Sequence, residues 1–129
     1  PDGEPSDFFG AGDDDDGIYV YGNTIVIGAK RDNNNFGSVY VYDATDLSAA
    51  PTVLYNPDTG GLSANPMFRG SVSIFGDTLV VGSENATNSD YNSGAVYIYD
   101  LTDLSAAPTK FTPPNETQSV TFGEAVSLG

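Results

Sequence analysis

Asp13, Asp14, Asp15 and Asp16, followed by Gly17, form the densest run of charge in a chain of 129 residues. A hard divalent cation such as calcium takes several oxygens at about 2.3–2.6 Å, commonly from alternating residues and backbone carbonyls. Asp13 and Asp15 can face one way, but Gly17 stands where a third carboxylate is needed. Calcium is therefore one reading of this run, and a solvated acidic loop is the other. Asp32 with Asn33 to Asn35, and Asp90 with Asn88 and Asn92, offer sparser oxygen sets in two corresponding loops. Asn85-Ala86-Thr87 and Asn115-Glu116-Thr117 are Asn-x-Thr triplets, so Asn85 and Asn115 are glycosylation candidates in an extracellular protein from a glycosylating cell.

Catalysis would fall to carboxylates alone. The chain has no His, the usual general base, and no Cys, which removes thiolate nucleophiles, disulfides and zinc-thiolate sites. A pair of carboxylates can hydrolyse glycosides when one is held protonated by an apolar setting. None here lies in such a setting. The acids that recur, Asp43 with Asp46 and Asp100 with Asp103, sit in a turn-like segment where backbone capping accounts for them. The chain reads as a non-enzyme that requires no cofactor, with Ca2+ the one ion its acids invite. Tyr19, Tyr21, Tyr40, Tyr42, Tyr97 and Tyr99 could form a carbohydrate-stacking surface, but their period within apolar segments favours packing between sheets.

Eighteen acids stand against four bases, Lys30, Arg31, Arg69 and Lys110, for a net charge of −14. Such a surface repels phosphate backbones and anionic lipid, which excludes nucleic acid as a partner. No apolar run is long enough to insert in a membrane. A start at Pro1-Asp2-Gly3 without Met reads as processed or truncated.

The elements that must position these residues come in two copies. Tyr42-Asp43-Ala44-Thr45-Asp46-Leu47-Ser48-Ala49-Ala50-Pro51-Thr52 returns 57 residues later with a single change, Ala44 to Leu101. Gly22-Asn23-Thr24-Ile25-Val26-Ile27-Gly28 returns as Gly76-Asp77-Thr78-Leu79-Val80-Val81-Gly82 at an offset of 54. Near-identity elsewhere and an insertion confined to one polar loop mark a structural repeat with a surface loop. Each copy opens on a strand pair, Ile18-Tyr19-Val20-Tyr21 with Thr24-Ile25-Val26-Ile27, then Val72-Ser73-Ile74-Phe75 with Thr78-Leu79-Val80-Val81. Gly22 and Gly76 are placed to hold positive φ in the tight turns between them. A third strand follows, Ser38 to Tyr42 or Ala95 to Tyr99. The shared Thr-Asp-Leu-Ser-Ala-Ala-Pro connection suggests one helical turn, capped by Thr45 or Asp46 (Thr102 or Asp103), with Leu47 and Leu104 buried beneath it. Pro51 and Pro108 then open a fourth, peripheral strand. Four antiparallel strands per roughly 55 residues, apolar on both faces, fit a propeller blade covered by its neighbours.

At these residues the chain resembles the FG-GAP repeat, the blade of integrin α-subunit propellers and of many bacterial extracellular proteins. The resemblance is carried by Phe68 with Val72, by Phe122-Gly123 with Val126, and by Gly-Asn/Asp before Thr-Ile/Leu-Val. It is carried further by Gly37-Ser38-Val39-Tyr40-Val41-Tyr42-Asp43 and Gly94-Ala95-Val96-Tyr97-Ile98-Tyr99-Asp100. It departs where Arg69 replaces a signature Gly, where Phe9-Gly10 falls five residues early, and where Lys30 and Glu84 replace a Pro. The family's calcium loop, Asp-x-Asp-x-Asp-Gly between the first two strands, has no counterpart, because that connection is only Gly22-Asn23 or Gly76-Asp77.

The expected architecture is all-β: two four-stranded antiparallel β-propeller-type blades plus the first strand of a third. The expected divisions are 1–17, an acidic leader; 18–67, the first blade; 68–121, the second; and 122–129, the opening strand of a further blade. That strand, with Phe122, Val126 and Leu128 as its apolar residues, would continue a longer propeller or pair with a neighbouring copy. The implied role is an extracellular or cell-surface structural or adhesive module, built into a filament or ring. Its partners would be other copies, further blades, or a glycan or protein ligand. The competing role is a calcium- or carbohydrate-dependent ligand-binding propeller fragment.

Overall fold

The computed structural model describes residues 17–29, 36–58, 68, 71–83, 86–88, 91–114 and 121–129. Gly followed by Asn or Asp reverses the chain twice where expected. Strand β1 (Ile18–Tyr21) pairs antiparallel with β2 (Thr24–Ala29), and β5 (Val72–Phe75) with β6 (Thr78–Ser83). Gly22 has φ 55° and Gly76 φ 58°, the left-handed region that a side chain enters at a cost. Gly22→Val or Gly76→Val is expected to destabilise the protein by more than about 1 kcal/mol in a denaturant titration. A midpoint unchanged from the parent chain would remove this turn assignment.

The first sheet runs in the order β1, β2, β3 (Ser38–Asp43), β4 (Thr52–Tyr55). The second repeats it as β5, β6, β9 (Ala95–Asp100), β10 (Thr109–Phe111). Registers coincide: Thr24 pairs with Asp43 and Ala29 with Ser38 in one, Thr78 with Asp100 and Ser83 with Ala95 in the other. The longer loop of the second copy carries a short hairpin of its own, β7 (Thr87–Asn88) with β8 (Tyr91–Asn92).

The two sheets stack face to face. Paired residues share a face, so Tyr19, Val26, Val39, Val41 and Leu54 of the first sheet point one way. Against them lie Val72, Ile74, Leu79, Val81, Tyr97 and Tyr99 of the second, and the two sets make one core. Phe68 fills the seam with its ring fully buried. This is the arrangement of two consecutive propeller-like blades.

The connection between third and fourth strands is not helical. Asp43 Oδ1 accepts from the Thr45 amide (2.8 Å) and hydroxyl (2.6 Å), and Asp46 Oδ1 from the Ser48 amide (3.2 Å) and hydroxyl (2.5 Å). Asp100 with Thr102, and Asp103 with Ser105, reproduce all four bonds. The result is two tandem Asx turns, the local alternative that Asp and Ser side chains offer the backbone in place of a helix. A third anchor ties each connection to the tight turn of its own blade, Ala44 N–H to the Asn23 carbonyl (2.7 Å) and Leu101 N–H to the Asp77 carbonyl (2.8 Å).

Identical sequence here meets different surroundings. Leu104 is half-buried against the core, whereas Leu47 is 65% exposed, contrary to the expectation that both are buried. Among the described residues, the second blade has a neighbour on that side and the first does not. Leu104→Ala is expected to cost about 1 kcal/mol or more, and Leu47→Ala less than about 0.5 kcal/mol, by urea unfolding of each variant. Equal losses would show that Leu47 is covered in solution.

The closing segment forms no strand. Phe122 makes a single parallel bridge to Gly94, its N–H reaching the Ser93 carbonyl at 3.3 Å. Leu128 N–H donates to Ser73 Oγ at 2.9 Å. Phe122, Val126 and Leu128 are half-buried against their own blade. Phe68 meets the first blade in the equivalent way, its N–H on the Phe36 carbonyl at 2.9 Å. The segment thus lies on the second blade as the second blade's entry lies on the first.

Candidate functional site

Among the described residues, the seam between the blades holds a polar cluster that joins them. Past β4 the chain turns at Asn56, whose buried amide oxygen accepts the Asp58 N–H at 2.9 Å. That turn aims Asp58 at the second blade. There its carboxylate takes the Tyr97 hydroxyl and, at 2.5 Å, Lys110 Nζ. Lys110 also stands 6.0 Å from the centre of the Tyr97 ring. Lys110 and Tyr97 are cross-strand partners in β10 and β9, so one face of one sheet presents both.

Partial burial would raise the Asp58 pKa, but the Lys110 ammonium and the Tyr97 hydroxyl outweigh it and hold the carboxylate below its usual value. Burial, then the bond to Asp58, pushes the Tyr97 phenol far up, and burial does the same for Tyr99. Both phenols stay protonated donors at any ordinary pH. With the Asp58 carboxylate held ionised and the Tyr97 phenol held protonated, the cluster acts as a latch.

A folded-state pKa below the unfolded one gives stability that is present above the unfolded value and lost as pH falls through the folded one. Asp58 is therefore expected to contribute at pH 6 and progressively less below its ordinary pKa of 3.8. Because each side chain of the pair is about one-third exposed, solvent screens it and the contribution is under about 1 kcal/mol. Chemical unfolding at stepped pH should show this component in the parent chain and not in Asp58→Asn. The same acid dependence in both would remove the latch.

The recurring acids have a conformational role. The Thr45 and Thr102 hydroxyls and amides hold Asp43 and Asp100 below the usual carboxylate range, so each is ionised and committed to its turn. Beside them lie two equivalent shallow recesses. One of about 360 Å³ is lined by Asn23, Thr24, Asp43, Thr45 and Thr52 and closed on one side by Leu101 of the second blade. The other, about 320 Å³, is lined by Asp77, Thr78, Tyr99, Asp100 and Thr109. Hydroxyls and a carboxylate in a shallow groove suit a polyhydroxylated ligand.

Gly22, Gly76, Leu47, Leu104, Phe122, Val126 and Leu128 fall where described above. Asp13, Asp14, Asp15 and Asp16 lie outside the described residues, as do Asp32, Asn33 to Asn35, Asp90, Asn85 and Asn115. Among the described residues no group of three or more acidic or other metal-ligating side chains converges. The family's calcium loop does not fit the connection between the first two strands of either blade, because a two-residue turn leaves no room for its ligands. Asp58 and Lys110 were missed as a pair. Their signal was slight: one of four bases stands where the first blade has Val53.

Residues 61–99 match the FG-GAP repeat. No curated protein and no solved structure matches the chain.

Proposed function

From the match of residues 61–99 to the FG-GAP repeat, we propose that this chain is a non-catalytic structural or adhesive module. It works outside the cell or at its surface, and it joins head-to-tail with further blades supplied by other copies. The carrying observation is the division of labour in the fold: the acids of the repeated connections are spent on turns, while the broad sheet faces are apolar and free of acid or base in all but Asp43, Asp100 and Lys110. That is the chemistry of a stacking unit. Among the described residues no helix is long and apolar enough to cross a membrane.

Sedimentation velocity of the 129-residue chain, from micromolar to millimolar, is expected to show a concentration-dependent rise in mass. A constant monomer would defeat the assembly part of this reading, and turnover of glycosides would defeat its non-catalytic part. The paired polar recesses favour a second reading, a carbohydrate-binding module assisted by calcium. A glycan array probed with and without calcium tests it.

A further inference from the structure

The outer face of the first blade repeats, residue for residue, a surface that is already an interface in this molecule. Register places Ile18, Val20, Ile25, Ile27, Tyr40, Tyr42 and Val53 on that face, where Tyr40 is already buried and the edge at Ile18 and Val20 is open. Their counterparts in the second blade are Val72, Ile74, Leu79, Val81, Tyr97, Tyr99 and Lys110. Ile18 is 60% exposed where Val72 is 2%, and Val20 is 62% exposed where Ile74 is 9%. What buries the apolar members of the second set is the inner face of the first blade, built on Tyr19, Val26, Val39 and Leu54; Lys110, where the first blade has Val53, stays exposed.

The matching donor surface is also present. The outer face of the second blade repeats that inner face, with Ser73, Val80, Val96 and Phe111 for Tyr19, Val26, Val39 and Leu54. Phe111 is 49% exposed and Phe75 51%. In a chain carrying a net charge of −14, the described strand residues on the first blade's outer face include no Asp, Glu, Lys or Arg. A solvated sheet face in so acidic a chain would carry some of that charge; this one is composed as an interior.

We infer that the outer face of the first blade is the docking surface for the outer face of the second blade of another copy of this chain. The contact is heterologous and repeats the intramolecular seam, so copies add head-to-tail until they close or run on as a filament. The inference rests on the assembly reading and names its surface. The incoming β1 takes the place beside β5 that residues 126–129 hold in the single chain, since those residues are the counterparts of 72–75 and Leu128 sits on Ser73. The C-terminal segment is thus displaced by the contact, where an exchanged strand would create it.

Like charge opposes this association and apolar area drives it, so it strengthens as salt screens the repulsion. The test compares the full-length chain with Ile18→Lys/Val20→Lys by sedimentation, at low and high sodium chloride, with circular dichroism as the check on folding. Both positions are exposed, so the fold is kept, and two added lysines lower the mutual repulsion. The double variant is nevertheless expected to associate at least tenfold more weakly. A second variant, Leu128→Pro, loses the N–H bound to Ser73 and is expected to associate as tightly as the parent or more so. If the parent associates and the lysine variant matches it, the face is wrong and the assembly reading survives. If Leu128→Pro loses association, strand exchange replaces face docking. A parent that stays monomeric at every salt concentration overturns the assembly reading and the face with it.

Discussion

Phe68→Ala is expected to cost about 3–5 kcal/mol of stability, the largest loss from any single truncation of a described side chain. The ring is fully buried and stands edge-on to two tyrosines of the second blade, 5.6 Å from Tyr97 and 6.3 Å from Tyr99 between centroids. Those contacts lie in the seam, and the Phe68 N–H is bonded to the first blade at Phe36. Truncation therefore opens a cavity between two units that each expose apolar surface without the other. Since domains of this size are stable by only about 5–15 kcal/mol, the variant should be marginal at room temperature. Urea unfolding followed by tyrosine fluorescence measures it. Phe111→Ala, at a ring 49% exposed, is the control and should lose far less. Equal losses would mean that Phe68 does not join the blades.

Gly37→Ala is expected to be nearly as damaging, by about 2–5 kcal/mol, from two independent penalties. Gly37 has φ 78°, where a side chain strains the backbone. A Cβ built there would also meet the Phe68 backbone, overlapping its carbonyl oxygen and lying 3.0 Å from its carbonyl carbon. Backbone cannot swing aside as a flexible side chain can, so the substitution would prise Phe68 from the seam. Gly22→Ala separates the two effects. Its φ is 55° but a Cβ there meets nothing within 4 Å, so only the backbone strain remains, about 1–2 kcal/mol. If Gly37→Ala costs no more than Gly22→Ala, the close approach of the two chains is not a constraint.

Both predictions concern the seam, and the seam was the part least visible from composition. Phe68 was legible as a signature residue of the repeat, yet its place between Tyr97 and Tyr99 follows only from the stacking of two sheets. Asp58 and Lys110 are 52 residues apart and meet because one leaves the first blade where the other enters the last strand of the second. No spacing rule links them, since the separation is set by where two sheets cross and not by a helical or strand period.

Sequence by itself determined what is local. Gly-Asn and Gly-Asp set the tight turns, alternation set the strand faces, and the two copies predicted the same succession of strands in both sheets. These are decided within a few residues by turn chemistry and by a period of two. Sequence also placed Asp43, Asp46, Asp100 and Asp103 in backbone capping, although side chain to amide bonds two residues ahead won over a helical turn. Tertiary structure alone decided burial. Leu47 and Leu104 occupy identical eleven-residue surroundings but for one position, and one is in solvent while the other touches the core. Ile18 and Val72 differ in the same sense. A repeat writes the same apolar face into each blade, and whether that face is an interior depends on which blade stands beside it. The free energy of burial belongs to the pair of faces and to neither sequence alone.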